Sequence, residues 1–466
     1  MSGSVEERLT LRGAVVISAL VAWAAPSPAF AQYEAVPPPS AYVLENVTLI
    51  QGDGTQEEGV AVVVRRGVVE AFGPEITVPP DTRVLEGESL HVYPGLVDAF
   101  GRAPLEIPGP NRDDEVLSWD PPRDAQGFTP HRQAARFLSG HGGDLVEERR
   151  SGIVAQAVFP NLGLMPGQGS LLLHRQDADA PRDLVLRPSV GAAIQLQGAS
   201  GAYPSTLFGV MAFLRQAFLD ADHHGLRLAE SQNGTSEGSP PAADEDYEVL
   251  RTIAAGDLPV YFRADGAEDV RRALALSDEL GFEVVIVGGG EAWRAADELR
   301  DRGVTVVVSV DFPEPRDWDP DEDGDREEPD PSAERERERL EGIYRNAAVL
   351  REAGVEVALT SDRGAGDLRA GARKAVEYGL PEEEALRALT SVPAELVGAP
   401  ELGRISTGGG ATFIVTNGPL LDEETEIVYT FVAGFPEEGP GIEGAVDEDP
   451  VEGRRGVDAR GGGDER

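Results

Sequence analysis

Arg102, Arg263 and Asp362 offer chemistry at the positions where a fold would use it. Each lies at or just past the end of a short apolar stretch: Arg102 after Leu96–Gly101, Arg263 after Val260-Tyr261-Phe262, and Asp362 after Val355–Leu359 and Thr360-Ser361. If such stretches are strands of one parallel barrel, their C-terminal ends share a mouth. A guanidinium fixed there could neutralise the Asp362 carboxylate in a bidentate pair. Asp98, Asp265 and Asp311 sit close to the same strand ends. The cluster therefore reads either as a binding site or as a charge-balanced barrel end with no activity.

Other chemistry is limited by what the chain lacks. Cysteine is absent, which excludes thiolate catalysis and disulfides. Lys374 is the single lysine and falls in a helical stretch. The six histidines are His91, His131, His141, His174, His223 and His224. None shows a ligand spacing such as His-x-His on a strand or i, i+4 on a helix, so each reads as a surface or supporting residue. Gly288-Gly289-Gly290 could cradle an anion at a helix start or could simply be a tight turn; it matches neither nucleotide fingerprint. Alternate aspartates from Asp317 to Asp325 lack the Gly and Glu positions of a calcium loop and read as a solvated insertion. Gly163–Gly169 reads as a flexible loop to which no chemistry attaches.

The elements that would position the cluster alternate strand and helix. Strands are predicted at Leu258–Phe262, Glu283–Val287, Thr305–Val310 and Val355–Leu359. Helices are predicted at Ala267–Leu280, Ala292–Arg302, Arg335–Ala353, Asp367–Glu377 and Pro381–Leu389. This order implies a parallel sheet covered by helices, and a (β/α)8 barrel accommodates it better than an open sheet. Gly152–Phe159 and Ser170–Leu173 read as further strands, Ser205–Ala221 as an amphipathic helix, and Ala229–Ala243 as an exposed loop. Ala41–His91 is rich in short strands and turns, and a second β-rich cluster spans 403–432. A β-unit split between both ends suggests one small sandwich built from both.

Several of these stretches carry a family resemblance. Tyr93-Pro94-Gly95-Leu96-Val97-Asp98-Ala99, the opening unit Val43–Gly73, Thr360-Ser361-Asp362, the stretch from Gly379-Leu380-Pro381 to Thr390-Ser391-Val392-Pro393-Ala394, and Leu402-Gly403-Arg404-Ile405 with Ala411–Val415 follow one another in order. In these the chain resembles the amidohydrolase superfamily, most closely its imidazolonepropionase-like group. The resemblance implies an α/β fold: a (β/α)8 TIM-like barrel over 93–400 with an acidic insertion near 313–338. A small β-sandwich would come from 41–92 plus 401–435. It also implies a zinc-like divalent metal and hydrolysis of carbon–nitrogen bonds other than peptide bonds, with Asp362 as metal ligand and proton acceptor. The family's strand-one histidine pair falls on Phe100 and Arg102, its strand-five histidine on Arg263, and its strand-six histidine near Gly288. Only Asp362 is kept, and catalytic zinc wants about three protein ligands, so a bound metal is not expected. A bridging carboxylated lysine is also not expected, given the place of Lys374.

The readings that follow differ in class. One is a hydrolase of the family type, with Asp362 catalytic. Another is a non-catalytic barrel binding a small anionic molecule or partner through Arg102, Arg263, Asp98 and Asp265. A third is a metal-free lyase or isomerase using Asp362 and the arginines. The formal net charge of −42 argues against nucleic acid and anionic membranes. Residues 1–31 have the layout of a signal peptide: Arg8 and Arg12, an apolar run Ala14–Ala25, and a site at Ala29-Phe30-Ala31. A periplasmic or secreted protein, with no membrane association after cleavage, is the expectation, with a retained N-terminal anchor as the alternative. Residues 436–466 read as a disordered acidic tail. A small-molecule ligand is expected as partner, and a homo-oligomer is compatible with the sequence.

Overall fold

The computed structural model describes residues 41–85, 89–109, 117–161, 163–198, 201–234, 239–313, 331–362 and 367–443. The predicted signal peptide, residues 314–330 of the acidic insertion and the tail beyond 443 lie outside these. No helix among the described residues is long and apolar enough to cross a membrane.

The N-terminal strands are β1 (Ala41–Ile50), β2 (Gln56–Arg65), β3 (Val68–Gly73), β4 (Thr82–Leu85) and β5 (His91–Pro94). The barrel strands follow: β6 (Leu96–Gly101), β7 (Ile153–Val158), β8 (Gly167–Leu173), β9 (Val185–Gln195), β10 (Val260–Ala264), β11 (Val284–Gly288), β12 (Val306–Ser309) and β13 (Val357–Thr360). The chain ends with β14 (Phe413–Thr416), β15 (Ile427–Val432) and β16 (Phe435–Glu438).

Both chain ends do meet in one small domain. β5 pairs antiparallel with β14, with His91 opposite Thr416 and Pro94 opposite Phe413. The expected sandwich is one continuously bonded eight-stranded sheet, in the order β16-β15-β14-β5-β1-β2-β3 with β4 beside β1. The sheet curls back on itself. The Tyr42 and Phe431 rings, three strands apart in that order, lie 5.9 Å apart, and the Val69 amide donates to the Gly409 carbonyl at 2.9 Å. β16 extends to Glu438 and a short helix covers Pro440–Glu443, so residues 436–443 are structured where composition suggested disorder. An ion pair from the buried Arg149 to Glu437, at 2.9 Å, ties that end down.

The second sheet is an eight-stranded barrel in the order β13-β12-β11-β10-β9-β8-β7-β6. Its later strands, β10 to β13, are short and mostly apolar because helices cover their outer face. The helix Ala267–Leu280 illustrates the cover: Val270, Ala273, Leu274 and Leu276 are buried, Glu268 and Asp269 occupy the first turn, and Gly281 caps its end at φ +77°. The repeat departs from (β/α)8 at one place. β8 runs antiparallel to both β7 and β9. The β7–β8 connection is only residues 159–166, too short for the crossover that parallel neighbours require. Leu164 and Met165, in the stretch expected to be a flexible loop, are fully buried. The helix predicted from Ser205 runs Leu207–Gln232, into the stretch expected as a loop, and a further helix spans Glu245–Ala254. The single helix predicted at 335–353 is two, Pro331–Tyr344 and Asn346–Ala353.

Among the described residues no backbone ladder joins the two ends of the barrel, β6 and β13. Asp98 closes that seam. Its Oδ1 accepts from the Thr360 hydroxyl at 2.6 Å and from the Phe100 amide at 2.9 Å. Its Oδ2 accepts from the Ser361 hydroxyl at 2.6 Å and the Ser361 amide at 3.1 Å. Asp98 is fully buried. Four donors converge on two acceptor oxygens, so the isosteric Asp98→Asn must set an amide NH2 against at least two donors. We expect it to destabilise the fold by about 3 kcal/mol or more, read as a lower urea midpoint at unchanged slope.

Candidate functional site

The inward face of β10 carries Tyr261 and Arg263, two residues apart, and that of β6 carries Asp98 and Phe100, with Arg102 just past the strand end. Alternation puts each set on one side of its strand. Phe100 and Tyr261 meet across the barrel with ring centroids 6.5 Å apart, and Phe159 lies between them at 4.7 Å from each. These three rings fill the interior at the level of Phe100. Tyr261 is anchored by a hydrogen bond from its hydroxyl to the Leu396 carbonyl at 3.2 Å, and burial pushes that hydroxyl's pKa up.

Above the rings lies an ion pair. Arg263 Nη1 donates to Asp362 Oδ1 at 2.8 Å, and Nη2 to Oδ2 at 2.6 Å. The Asp362 side chain is 1% exposed and that of Arg263 26%. Arg102 is fixed differently: its Nε donates to the backbone carbonyl of Asp362 at 2.7 Å. Its terminal nitrogens have no partner among the described residues. Asp362 takes φ +38°, and its amide is held by the Thr360 hydroxyl at 3.0 Å. The same hydroxyl is held by Asp98, so barrel closure and the site share one side chain.

The structure thus brings Arg102, Arg263 and Asp362 together. Asp98, expected as a binding group, lies inside the wall with both oxygens committed to the seam. Asp265 is exposed at the end of β10, with a carboxylate oxygen against Gly288. A side chain at Gly288 would collide with that oxygen, and φ there is +88°. Asp311 is exposed beyond β12. Gly288-Gly289-Gly290 is a tight turn. The buried Asn346 pins it by donating to the Gly289 carbonyl at 2.8 Å and accepting from the Trp293 amide at 2.9 Å. Phe159, Tyr261, Thr360 and Asn346 were not singled out by the sequence, although the i, i+2 spacing of Tyr261 and Arg263 already placed both on one face.

The histidines lie elsewhere in the structure. His131 Nδ1 contacts Asp246 at 2.5 Å, within a cluster where Arg123 bridges Asp244 and Asp246. His141 caps a turn, and His224 contacts the Ala242 carbonyl. His174 is fully buried, with Nδ1 at 2.9 Å from the Ile153 carbonyl and no partner for Nε2 among the described residues.

A divalent metal does not fit the residues at the mouth. Both Asp362 oxygens are taken by Arg263, and Phe100, Arg102, Arg263 and Gly288 supply no donor. Among the described residues no group of three or more His, Cys, Asp or Glu is placed to hold an ion.

Residues 294–436 match the model described as Amidohydrolase family. Among solved structures, an amidohydrolase from Thermotoga maritima MSB8 superposes with a TM-score of 0.68 at 23% identity, covering 85% of this chain and 99% of its own. A prolidase complexed with N-methylphosphonate-L-proline superposes at 0.50 and 18% identity, covering 86% and 100%. No curated protein matches the chain.

Two outcomes follow from the geometry. Replacing Asp362 by Ala leaves the Arg263 guanidinium partly buried and unpaired, which should cost about 3 kcal/mol, measured by thermal or urea unfolding. Burial, aided by the charge of Arg149, pushes His174 down from 6.5 to about 4. The folded state therefore resists a proton that the unfolded chain accepts. The stabilisation is complete above pH 6.5 and is lost as pH falls from there towards 4, by up to about 3 kcal/mol. His174→Asn keeps a donor for the Ile153 carbonyl and should flatten that part of the stability–pH curve relative to the parent.

Proposed function

From an amidohydrolase-type barrel whose C-terminal segment matches that family, we propose a non-catalytic barrel that binds a small anionic molecule at its mouth. The observation that carries this reading is the bidentate Arg263–Asp362 pair above the Phe100, Phe159 and Tyr261 rings. Both oxygens of that carboxylate are engaged by short charge-assisted bonds to one guanidinium. The aromatic rings occupy the depth at which the family's strand-one histidines would reach inward. Asp362 is paired with Arg263, and among the described residues Arg102 commits only its Nε, to the Asp362 carbonyl. Its terminal nitrogens form a planar fork suited to a carboxylate or phosphate oxygen pair. Within a chain of net charge −42, such a spot takes a small anion that reaches the fork and not an extended acidic partner. Hydrolysis of carbon–nitrogen bonds, which the family resemblance implies, is the rival reading.

Metal analysis of protein purified after zinc, manganese and iron supplementation separates the two. We expect well under one equivalent of metal and no turnover of cyclic or N-acyl amide substrates. Inorganic phosphate or short carboxylates should raise the melting temperature of the parent but not of Arg102→Gln. Stoichiometric metal, or amide hydrolysis abolished by Asp362→Asn, would overturn the proposal.

A further inference from the structure

The 26-residue helix Leu207–Gln232 has two faces. Val210, Leu214, Ala217, Phe218 and Ala221 are buried against the barrel. At about 100° per residue, Phe208, Ala212, Arg215, Leu219, Asp222, Leu226 and Glu230 form a stripe on the opposite side, with His223 on its border. Phe208 is 90% exposed, Leu219 63% and Leu226 58%. Trp119, 71% exposed, lies near the start of this helix, where the Tyr203 amide donates to the Ser118 carbonyl at 2.8 Å. A row of exposed large apolar side chains of this kind marks an interaction surface.

We infer that this stripe pairs with the same stripe of a second copy of the chain, in an antiparallel two-fold helix contact. Two-fold pairing sets residue i against a residue of fixed index sum, so a self-complementary stripe has a preferred register. With the axis between Asp222 and His223, Leu219 faces the partner's Leu226, Arg215 faces the partner's Glu230, and Asp222 faces the partner's His223. Leu219 and Leu226 then meet each other and Asp222 and Glu230 each meet a basic or imidazole group, while Phe208 and Ala212 lie outside the paired span. The operation repeats every pair, so six positions on each helix are matched. Moving the axis to Leu219 instead sets Arg215 against the partner's His223 and Phe208 against the partner's Glu230, which loses the complementarity. Arg215 already binds Glu279 through Nε and Nη2 at 2.7–2.9 Å, which holds its side chain in place and leaves Nη1 for the contact. The mixed charge of the stripe and the acidity of the chain disfavour an anionic membrane as the occupant. The same acidity opposes self-association at low salt, so the contact should tighten as salt screens the two copies.

Because the chain has no cysteine, introduced thiols report the register directly. Leu219→Cys and Leu226→Cys variants, oxidised as an equimolar mixture, should give a disulfide-linked heterodimer. Either variant alone should cross-link poorly, since like positions are offset by roughly 10 Å along the helix, beyond disulfide reach. Sedimentation of the parent should show a dimer whose association strengthens with added salt. Leu226→Glu should be monomeric with an unchanged circular dichroism spectrum. The inference is overturned by a parent that stays monomeric at all salt concentrations, by Leu219→Cys cross-linking alone as readily as the mixture, or by a monomer that instead floats with phosphatidylcholine vesicles.

Discussion

Asp98 joins what the backbone leaves apart. The barrel sheet begins at β6 and ends at β13, and no ladder links them among the described residues. A fully buried carboxylate accepts four hydrogen bonds, three of them across that gap from Thr360 and Ser361. Burying it is costly unless every lone pair is used, and here the Thr360 and Ser361 side chains and two backbone amides use them. Thr360 then passes the constraint on, because its hydroxyl also holds the amide of Asp362. The positive φ of Asp362, and hence the aim of its carboxylate at Arg263, depends on the closure of the barrel.

The interior above this seam is organised in two levels, aromatic below and ionic above. In the family the chain resembles, charge at the mouth comes from a metal held by histidines. Here the guanidinium of Arg263 sits against the Asp362 carboxylate, and rings take up the space underneath. A histidine at position 100 would displace the ring stacked on Phe159, one at position 263 would remove the two guanidinium bonds to Asp362, and one at position 288 would collide with Asp265. Phe100, Arg263 and Gly288 are thus each fixed by a contact of their own.

The parts legible from sequence were those set by local pattern. Strand–helix alternation from Leu258 onward, the helix at Ala267–Leu280 with its acidic first turn and Gly281 cap, and the meeting of both chain ends in one β-domain all follow from periodicity and turn chemistry. The N-terminal half of the barrel was harder to read. β9 was missed, and the antiparallel β8 hides a break in the repeat that only the short 159–166 connection betrays. The long helix was cut short because the polar, small-residue stretch after Ala229 resembles a loop, while Leu226 and the turns before it carry the helix on.

What the sequence by itself determined is the barrel class, the identity of the residues at its strand ends, the absence of any thiol and the acidity of the surface, since these are set by composition and by short-range periodicity. Which of those strand-end residues touch was decided by tertiary structure. Asp98 and Asp362 are both acids at strand ends of the same barrel. One became a buried clasp and the other the partner of Arg263, because side-chain alternation and closure placed Thr360 and Ser361 beside the first and a guanidinium beside the second. Contacts across a barrel join residues more than 250 positions apart, and no local pattern encodes them.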